Sequence, residues 1–152
     1  MFDSNQSNIG GAIGLDIYLS TNNSLTISNC IFNKNTAFDR QIPGFVTPGI
    51  GGAIFVSSED GSFNSLIQNT AFTGNSTDNL ASAIAFKDAN NSGVHQVHNC
   101  SFSQNKKRNA LGANAKRVIE FYQANPLQPV EITNCIFGND SIVYDPNFAL
   151  SY

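Results

Sequence analysis

Charge is what this chain has least of. Only 12% of its 152 residues are Asp, Glu, Lys or Arg, and the formal net charge is −3. A balance this small and slightly acidic gives no electrostatic reason to expect nucleic acid. No apolar run approaches the ~18 residues of a membrane-spanning helix. The opening Met-Phe-Asp-Ser-Asn-Gln-Ser lacks the basic and apolar regions of a signal peptide. The three cysteines show no Cys-x-x-Cys spacing that would point to zinc. Helical patterning is missing as well, because the apolar segments are short, β-branched and interrupted by Gly and Asn. What remains is an Asn-, Ser-, Gly- and Thr-rich chain, 41% hydrophobic and long enough to bury one core. That composition suits β-structure, whose turns draw on Asn and Gly.

The informative feature is repetition. Ser28-Asn29-Cys30-Ile31-Phe32 returns as Gln68-Asn69-Thr70-Ala71-Phe72, as His98-Asn99-Cys100-Ser101-Phe102 and as Thr133-Asn134-Cys135-Ile136-Phe137. Phe2-Asp3-Ser4-Asn5 resembles the tail of a further copy, and the Phe-to-Phe steps are 30, 40, 30 and 35 residues. Steps in that range mark a solenoid, in which each unit covers its neighbour. Between successive Phe residues lies a second element: Gly10-Gly11-Ala12-Ile13, Gly51-Gly52-Ala53-Ile54, the weaker Ala81-Ser82-Ala83-Ile84 and a degenerate Lys116-Arg117-Val118-Ile119. Leu15, Val56, Phe86 and Phe121 follow two places after the Ile, which is strand parity. A second strand ends on Ile27, Ile67, Val97 and Ile132, five places before each Phe.

Each unit therefore predicts a Gly-Gly-Ala-Ile strand, a Leu-x-Ile strand, an Asn bend, a brief Cys-x-Phe strand and an Asn turn. Three short strands and three turns make one rung of a right-handed parallel β-helix, with rungs about 4.8 Å apart. The chain is expected to be a single all-β domain over 1–152 of about four to five coils, at 1–5 (partial), 10–35, 51–75, 81–105 and 117–140, with another starting at 141–152. Stacked Asn29, Asn69, Asn99 and Asn134 are expected to bond along the axis as an amide ladder and to occupy a left-handed bend. Phe32, Phe72, Phe102 and Phe137 are expected to stack inside. The chain opens inside a repeat and stops without a polar cap, and solenoids need capped ends. It therefore reads as a piece of a longer protein, with the same solenoid continuing at one or both ends.

Two stretches exceed the shortest unit. Residues 38–48 carry the prolines and glycines of an excursion, and residues 106–117 hold five of the eight basic residues, Lys106, Lys107, Arg108, Lys116 and Arg117. Both follow a Phe-x-x-Asn turn, so both should leave the same corner. The basic run is a candidate binding loop for an anionic surface such as a sulfated glycan, and a solvated loop is its ordinary alternative.

Phe-x-x-Asn alternating with Gly-Gly-Ala-Ile resembles the chlamydial polymorphic outer membrane protein repeat. The matching turns are Phe2–Asn5, Phe32–Asn35, Phe72–Asn75 and Phe102–Asn105, while Phe137-Gly138-Asn139-Asp140 departs in its last place. The resemblance implies a pectin-lyase-like β-helix in the passenger region of a surface-exposed or secreted protein, often an adhesin carried by an autotransporter. It brings no catalytic residues and no cofactor. The partner it implies is a protein or glycan on a cell surface, and the place extracellular or associated with an outer membrane.

Catalysis on such a fold would act on polysaccharide and need two carboxylates about 5–9.5 Å apart. The columns Asp16-Ser57-Lys87-Tyr122, three places after the Ile, and Thr26-Leu66-Gln96-Glu131, six before the Phe, hold no acidic pair. Glu59 and Asp60 sit in Ser57-Ser58-Glu59-Asp60-Gly61-Ser62, read as a solvated turn rather than a calcium site. Glu120 beside Arg117 is the one hint of lyase chemistry. His95 and His98 fall on opposite strand faces, with His95 inward. Cys30, Cys100 and Cys135 share a column with Thr70 and read as free thiols packed beside the Phe stack. Asn-x-Ser/Thr sequons start at Asn5, Asn22, Asn75, Asn90, Asn99 and Asn139, with Asn99 expected to be held in the ladder. The leading expectation is a non-catalytic surface β-helix. The alternatives are a stiff spacer, or a fragment of a lyase or hydrolase whose catalytic coils lie elsewhere.

Overall fold

The computed structural model describes residues 1–17, 20–91, 93–108, 117–122, 130–138 and 141–143. Among them are strands and no helix. Strands of successive rungs pair in parallel, and three stacked sheets wind into a parallel β-helix. The first sheet contains the Phe strands Phe2–Asp3, Ile31–Asn33, Ala71–Thr73, Ser101–Ser103 and Ile136–Gly138, in rung order. A second, short sheet stacks Gln6–Ser7, Thr36–Ala37, Ser76–Thr77 and Lys106–Lys107. The third and largest is built around Ile54–Gln68, with Ile13–Ile17 and Ser20–Ser28 on one side and Ile84–Asn91 and His95–His98 on the other.

One local expectation changes here. Residues Ser57–Ser62, read as a turn, lie inside the unbroken 15-residue strand Ile54–Gln68. Turn-forming side chains are overridden because neighbours on both sides bond the backbone in register, with Asp88–Asn91 on one side and Ser20 on the other. Two ladders hold an extended segment that Ser, Asp and Gly would leave bent in isolation.

Each rung turns its corners on single left-handed residues. Asn29, Asn69, Asn99 and Asn134 have φ of 55°, 51°, 53° and 53°. A second column, Ser4, Lys34, Gly74 and Gln104, runs from 53° to 64°, and a third holds Gly10, Gly51 and Ala81 at 50° to 67°. Asn tolerates that conformation through its short polar side chain, and Gly does so without a Cβ. Gly11 and Gly52 serve a different need. A Cβ on either would sit 2.1 Å from the carbonyl oxygen of the next rung, Gly52 or Ser82.

The left-handed bend turns the first Asn column outward, so the amide ladder stands elsewhere than expected. Asn29, Asn69, Asn99 and Asn134 are exposed. The ladder runs through the Asn of Phe-x-x-Asn instead. Asn5, Asn35 and Asn75 donate from Nδ2 to Oδ1 of Asn35, Asn75 and Asn105, each at 2.9 Å. The same oxygens accept the backbone N–H of Asn5, Asn35 and Asn75 at 3.0 Å. Asn35, Asn75 and Asn105 also reach back to the carbonyls of Phe2, Phe32 and Phe72, at 3.1, 3.0 and 3.0 Å. Asn35 and Asn75 are wholly buried, and every donor and acceptor there has a partner, as buried amides require. The sequon at Asn75 is thus enclosed and the one at Asn99 is open, the reverse of the expectation for Asn99.

Phe2, Phe32, Phe72, Phe102 and Phe137 stack face to face, with neighbouring centroids 4.7–5.1 Å apart and planes within 6°. Beside them pack the columns Ile27-Ile67-Val97 and Ile54-Ile84-Ile119, with Val56 and Phe86. His95, wholly buried, hydrogen bonds Ser65 Oγ through Nδ1 at 2.7 Å and stacks on Phe86 at 4.4 Å. A polar ring therefore sits within the aliphatic interior at no unsatisfied cost.

Candidate functional site

The short sheet is where rungs differ most, so it is where a specific surface is built. Ala37 pairs with Thr77, and Ile50 bridges Leu80. Between those fixed points one rung needs only Asp78 and Asn79, whereas the rung before it uses residues 38–49. The surplus forms an antiparallel hairpin, Arg40–Ile42 against Phe45–Thr47, turning on Gly44 at φ 83°. A left-handed glycine suits that turn, and a Cβ there would meet nothing within 4 Å. The hairpin shows Ile42 and Val46 to solvent, 45% and 53% exposed, beside a shallow hollow that they line with Gln41, Pro43 and Gly44. Its base is pinned by Asn8, whose Nδ2 donates to the carbonyls of Phe38, Thr47 and Pro48. Asp39 adds a second pin by accepting the Gly49 N–H at 2.7 Å.

Two rungs on, Lys106–Lys107 continues the same sheet, and the basic run leaves from there. Among the described residues, three of its charges are ion-paired. Arg108 is a two-pronged partner of Asp78, with Nε and Nη2 each 2.8 Å from a carboxylate oxygen, and Asp78 also accepts the Asp39 N–H at 2.9 Å. Lys107 Nζ and Arg117 Nη1 both approach Glu120 Oε1, at 3.6 and 3.2 Å. The second oxygen of Glu120 accepts the Ala81 N–H. Glu120 is 4% exposed, so its charge depends on those partners. Of the five basic candidates, Lys107, Arg108 and Arg117 are ion-paired, Lys106 is exposed, and Lys116 lies outside the described residues. The Glu120–Arg117 pair lies within the strand Arg117–Tyr122, with Glu120 buried.

Sequence reasoning missed Asp78, Asp39 and the structural role of Glu120. The signal for Asp78 was available: it is two places beyond Ser76 as Arg108 is two beyond Lys106, and rung register makes such residues neighbours. Nothing in the sequence marked Glu120 as buried.

The two columns read for catalytic carboxylates are in register, and each contains one acid, Asp16 and Glu131. Glu131 accepts Gln96 Nε2 at 2.7 Å and stands 4.0 Å from His98 Nε2, while His98 Nδ1 meets Thr133 Oγ1. Among the described residues no three His, Cys, Asp or Glu side chains converge as a metal site needs.

The cysteine column flanks the Phe stack. Cys30, Cys100 and Cys135 point Sγ at the carbonyl two residues back, at 3.2, 3.2 and 3.4 Å, as Thr70 does with its hydroxyl at 2.8 Å. All three are free thiols. The neighbouring Cys100 thiol, against the opposing effect of burial, draws the Cys135 thiol down to about 7, and its neighbour Cys135, then burial, pushes the Cys100 thiol up.

A search of curated proteins and a search of solved structures each gave no match. The pattern of the Chlamydia polymorphic membrane protein repeat matches residues 29–57. That span runs from the Asn29 bend through the buried Phe32 and Asn35, around the hairpin, to the Gly51-Gly52 corner and the next long strand. Residues 29–57 are thus similar to that repeat, and here they wind through most of one turn of a parallel β-helix.

Proposed function

We propose that this chain is a non-catalytic segment of a surface-exposed or secreted β-helix of adhesin-like type, whose insertions from the short sheet contact a protein or glycan on a host surface. One observation carries the reading. The wall is built from interchangeable rungs, and the hairpin at 40–47 breaks that sameness with exposed apolar side chains on a pinned base. A merely stiff spacer has no need for such a feature. The repeat match supports a surface setting for the parent, in which further rungs continue the stack.

The test is binding of the labelled chain to cultured epithelial cells. Residues 38–49 are replaced by Asp-Asn, the connection the next rung uses. Loss of most of the cell-bound signal, with unchanged far-ultraviolet circular dichroism, is the expected outcome. Undiminished binding would place the contact elsewhere. Absence of binding by the unaltered chain would favour the spacer.

A further inference from the structure

We infer that the outward asparagine column, Asn29, Asn69 and Asn99, forms a binding trough for a neutral oligosaccharide lying along the solenoid axis. The site is distinct from the hairpin at 40–47 and does not rest on it. The three asparagines are exposed and line a shallow trough of about 500 Å³ together with Ile31, Ala71 and Ser101. Sites for small ligands fall in the range of about 300–1,000 Å³. Register fixes the spacing, because Ile31, Ala71 and Ser101 pair in parallel on successive rungs. The three carboxamides therefore recur about every 4.8 Å along one line. Asn69 and Asn99 have a rung stacked on either side, so their exposure belongs to the wall of the solenoid.

The bend does not by itself call for asparagine. At the next corner the same left-handed backbone is met by Ser4, Lys34, Gly74 and Gln104, all different, whereas this corner repeats Asn at 29, 69, 99 and 134. The backbone groups there are already used. The N–H groups of Asn29, Asn69 and Asn99 donate to the carbonyls of Gln68, His98 and Thr133 at 3.2, 3.1 and 3.0 Å. The side-chain amides are not used: among the described residues none of the three has a hydrogen-bond partner. The inner column differs, since Asn75 there is bonded to Asn35 on one side and Asn105 on the other. One asparagine column joins the rungs, and the other presents free amides in a row.

The chemistry of the trough selects the ligand. No Asp, Glu, Lys, Arg or His lines it, so it offers no counter-charge to a sulfated or sialylated chain or to phosphate. Each carboxamide presents two donors and an acceptor, which match the vicinal hydroxyls of a sugar, groups that both donate and accept. Ile31, 47% exposed, and the half-buried Ala71 give the apolar face of a sugar ring a surface to rest on. A peptide cannot add here as a strand, because the sheet continues on both sides and leaves no free edge. From Asn29 to Asn99 is two rungs, about 9.6 Å, a span that fits about two or three linked sugars rather than a single ring.

The experiment applies the labelled full chain to an array of neutral oligosaccharides printed beside their sialylated and sulfated counterparts, then titrates the neutral oligosaccharide bound best. Neutral members are expected to bind above the charged ones. Asn69→Gly and Asn99→Gly keep the left-handed bend, which Gly adopts freely, and remove the amide. Each is expected to raise the Kd about three- to tenfold, and the double variant about 10- to 100-fold, with unchanged far-ultraviolet circular dichroism. Replacing residues 38–49 by Asp-Asn is expected to leave the Kd unchanged, which separates this trough from the hairpin. A readout without variants is the nitrogen-15 spectrum of the unaltered chain. There the side-chain amide signals of Asn69 and Asn99 should shift during the titration while those of the enclosed Asn35 and Asn75 stay in place. No neutral oligosaccharide bound, preference for sialylated or sulfated chains, full affinity in the double glycine variant, or loss of binding with the hairpin would each overturn the inference.

Discussion

Two asparagine columns recur with equal fidelity in this chain, yet they have opposite jobs, and substitution separates them. Asn75 is the test in the interior. Its Oδ1 accepts both the backbone N–H and Nδ2 of Asn35, and its Nδ2 donates to Phe32 O and to Asn105 Oδ1. Asn75→Ala leaves the Asn35 N–H buried without that partner, which costs about 1–3 kcal/mol. Asn35 Nδ2 retains Phe2 O, and Asn105 Oδ1 retains the Asn75 N–H, so those losses and that at Phe32 O are milder, about 1 kcal/mol each. The sum centres on about 5 kcal/mol, before any term for the space vacated. Asn69 is the comparison. It is exposed at φ 51°, so Asn69→Ala keeps every ladder bond and pays only left-handed backbone strain of about 1 kcal/mol, while Asn69→Gly costs nothing measurable. Urea unfolding followed by far-ultraviolet circular dichroism suits a chain without tryptophan. With an m-value of about 2 kcal/mol/M, Asn75→Ala should lower the midpoint by about 2.5 M and Asn69→Ala by about 0.5 M. Equal shifts, or a larger one at Asn69, would refute the assignment of the ladder to the Phe-x-x-Asn column.

Other positions follow from the same geometry. Gly52→Ala drives a Cβ to 2.1 Å from Ser82 O and 2.6 Å from Ser76 O, so a cost of about 3 kcal/mol should lower the melting temperature by about 9 °C. Gly44→Ala, in open space at φ 83°, should lower it by only about 3 °C. Glu120→Gln leaves Lys107 and Arg117 facing each other without their anion. Because Arg117 is about one-third exposed, the expected loss is discounted to about 2 kcal/mol, and adding Lys107→Met should recover part of it in the same melting assay. The dithiol gives stability a pH dependence of definite sign. Cys135, lowered to about 7, contributes stability present above the unfolded value of about 8.5 and lost as pH falls through about 7. Cys100, raised, contributes stability present below about 8.5 and lost at higher pH. The urea midpoint of reduced protein should therefore peak near pH 8–9, and Cys100→Thr should flatten the alkaline fall.

The repeat alone determined the winding of this chain. Phe32, Phe72, Phe102 and Phe137 fall at one phase of a recurring unit, and identical side chains at one phase must stack when units cover each other. The aliphatic columns, the inward His95 and the glycine corners follow from strand parity and the need for φ > 0, all local properties. What local reasoning lacked was direction at the bends. A left-handed residue swings its neighbours by more than the two-fold alternation of a strand allows, so one Asn column turned outward and the other inward, though both were plain to see. Long-range pairing also decided matters that composition suggested wrongly. Ser57–Ser62 became strand because two rungs bonded it, Arg108 became ion-paired because Asp78 arrived from the neighbouring rung, and Lys107 and Arg117 because Glu120 of their own rung is buried between them. Residue types and their period are written along the chain, but which charges meet and which amides are enclosed depends on atoms some 30 to 40 residues apart.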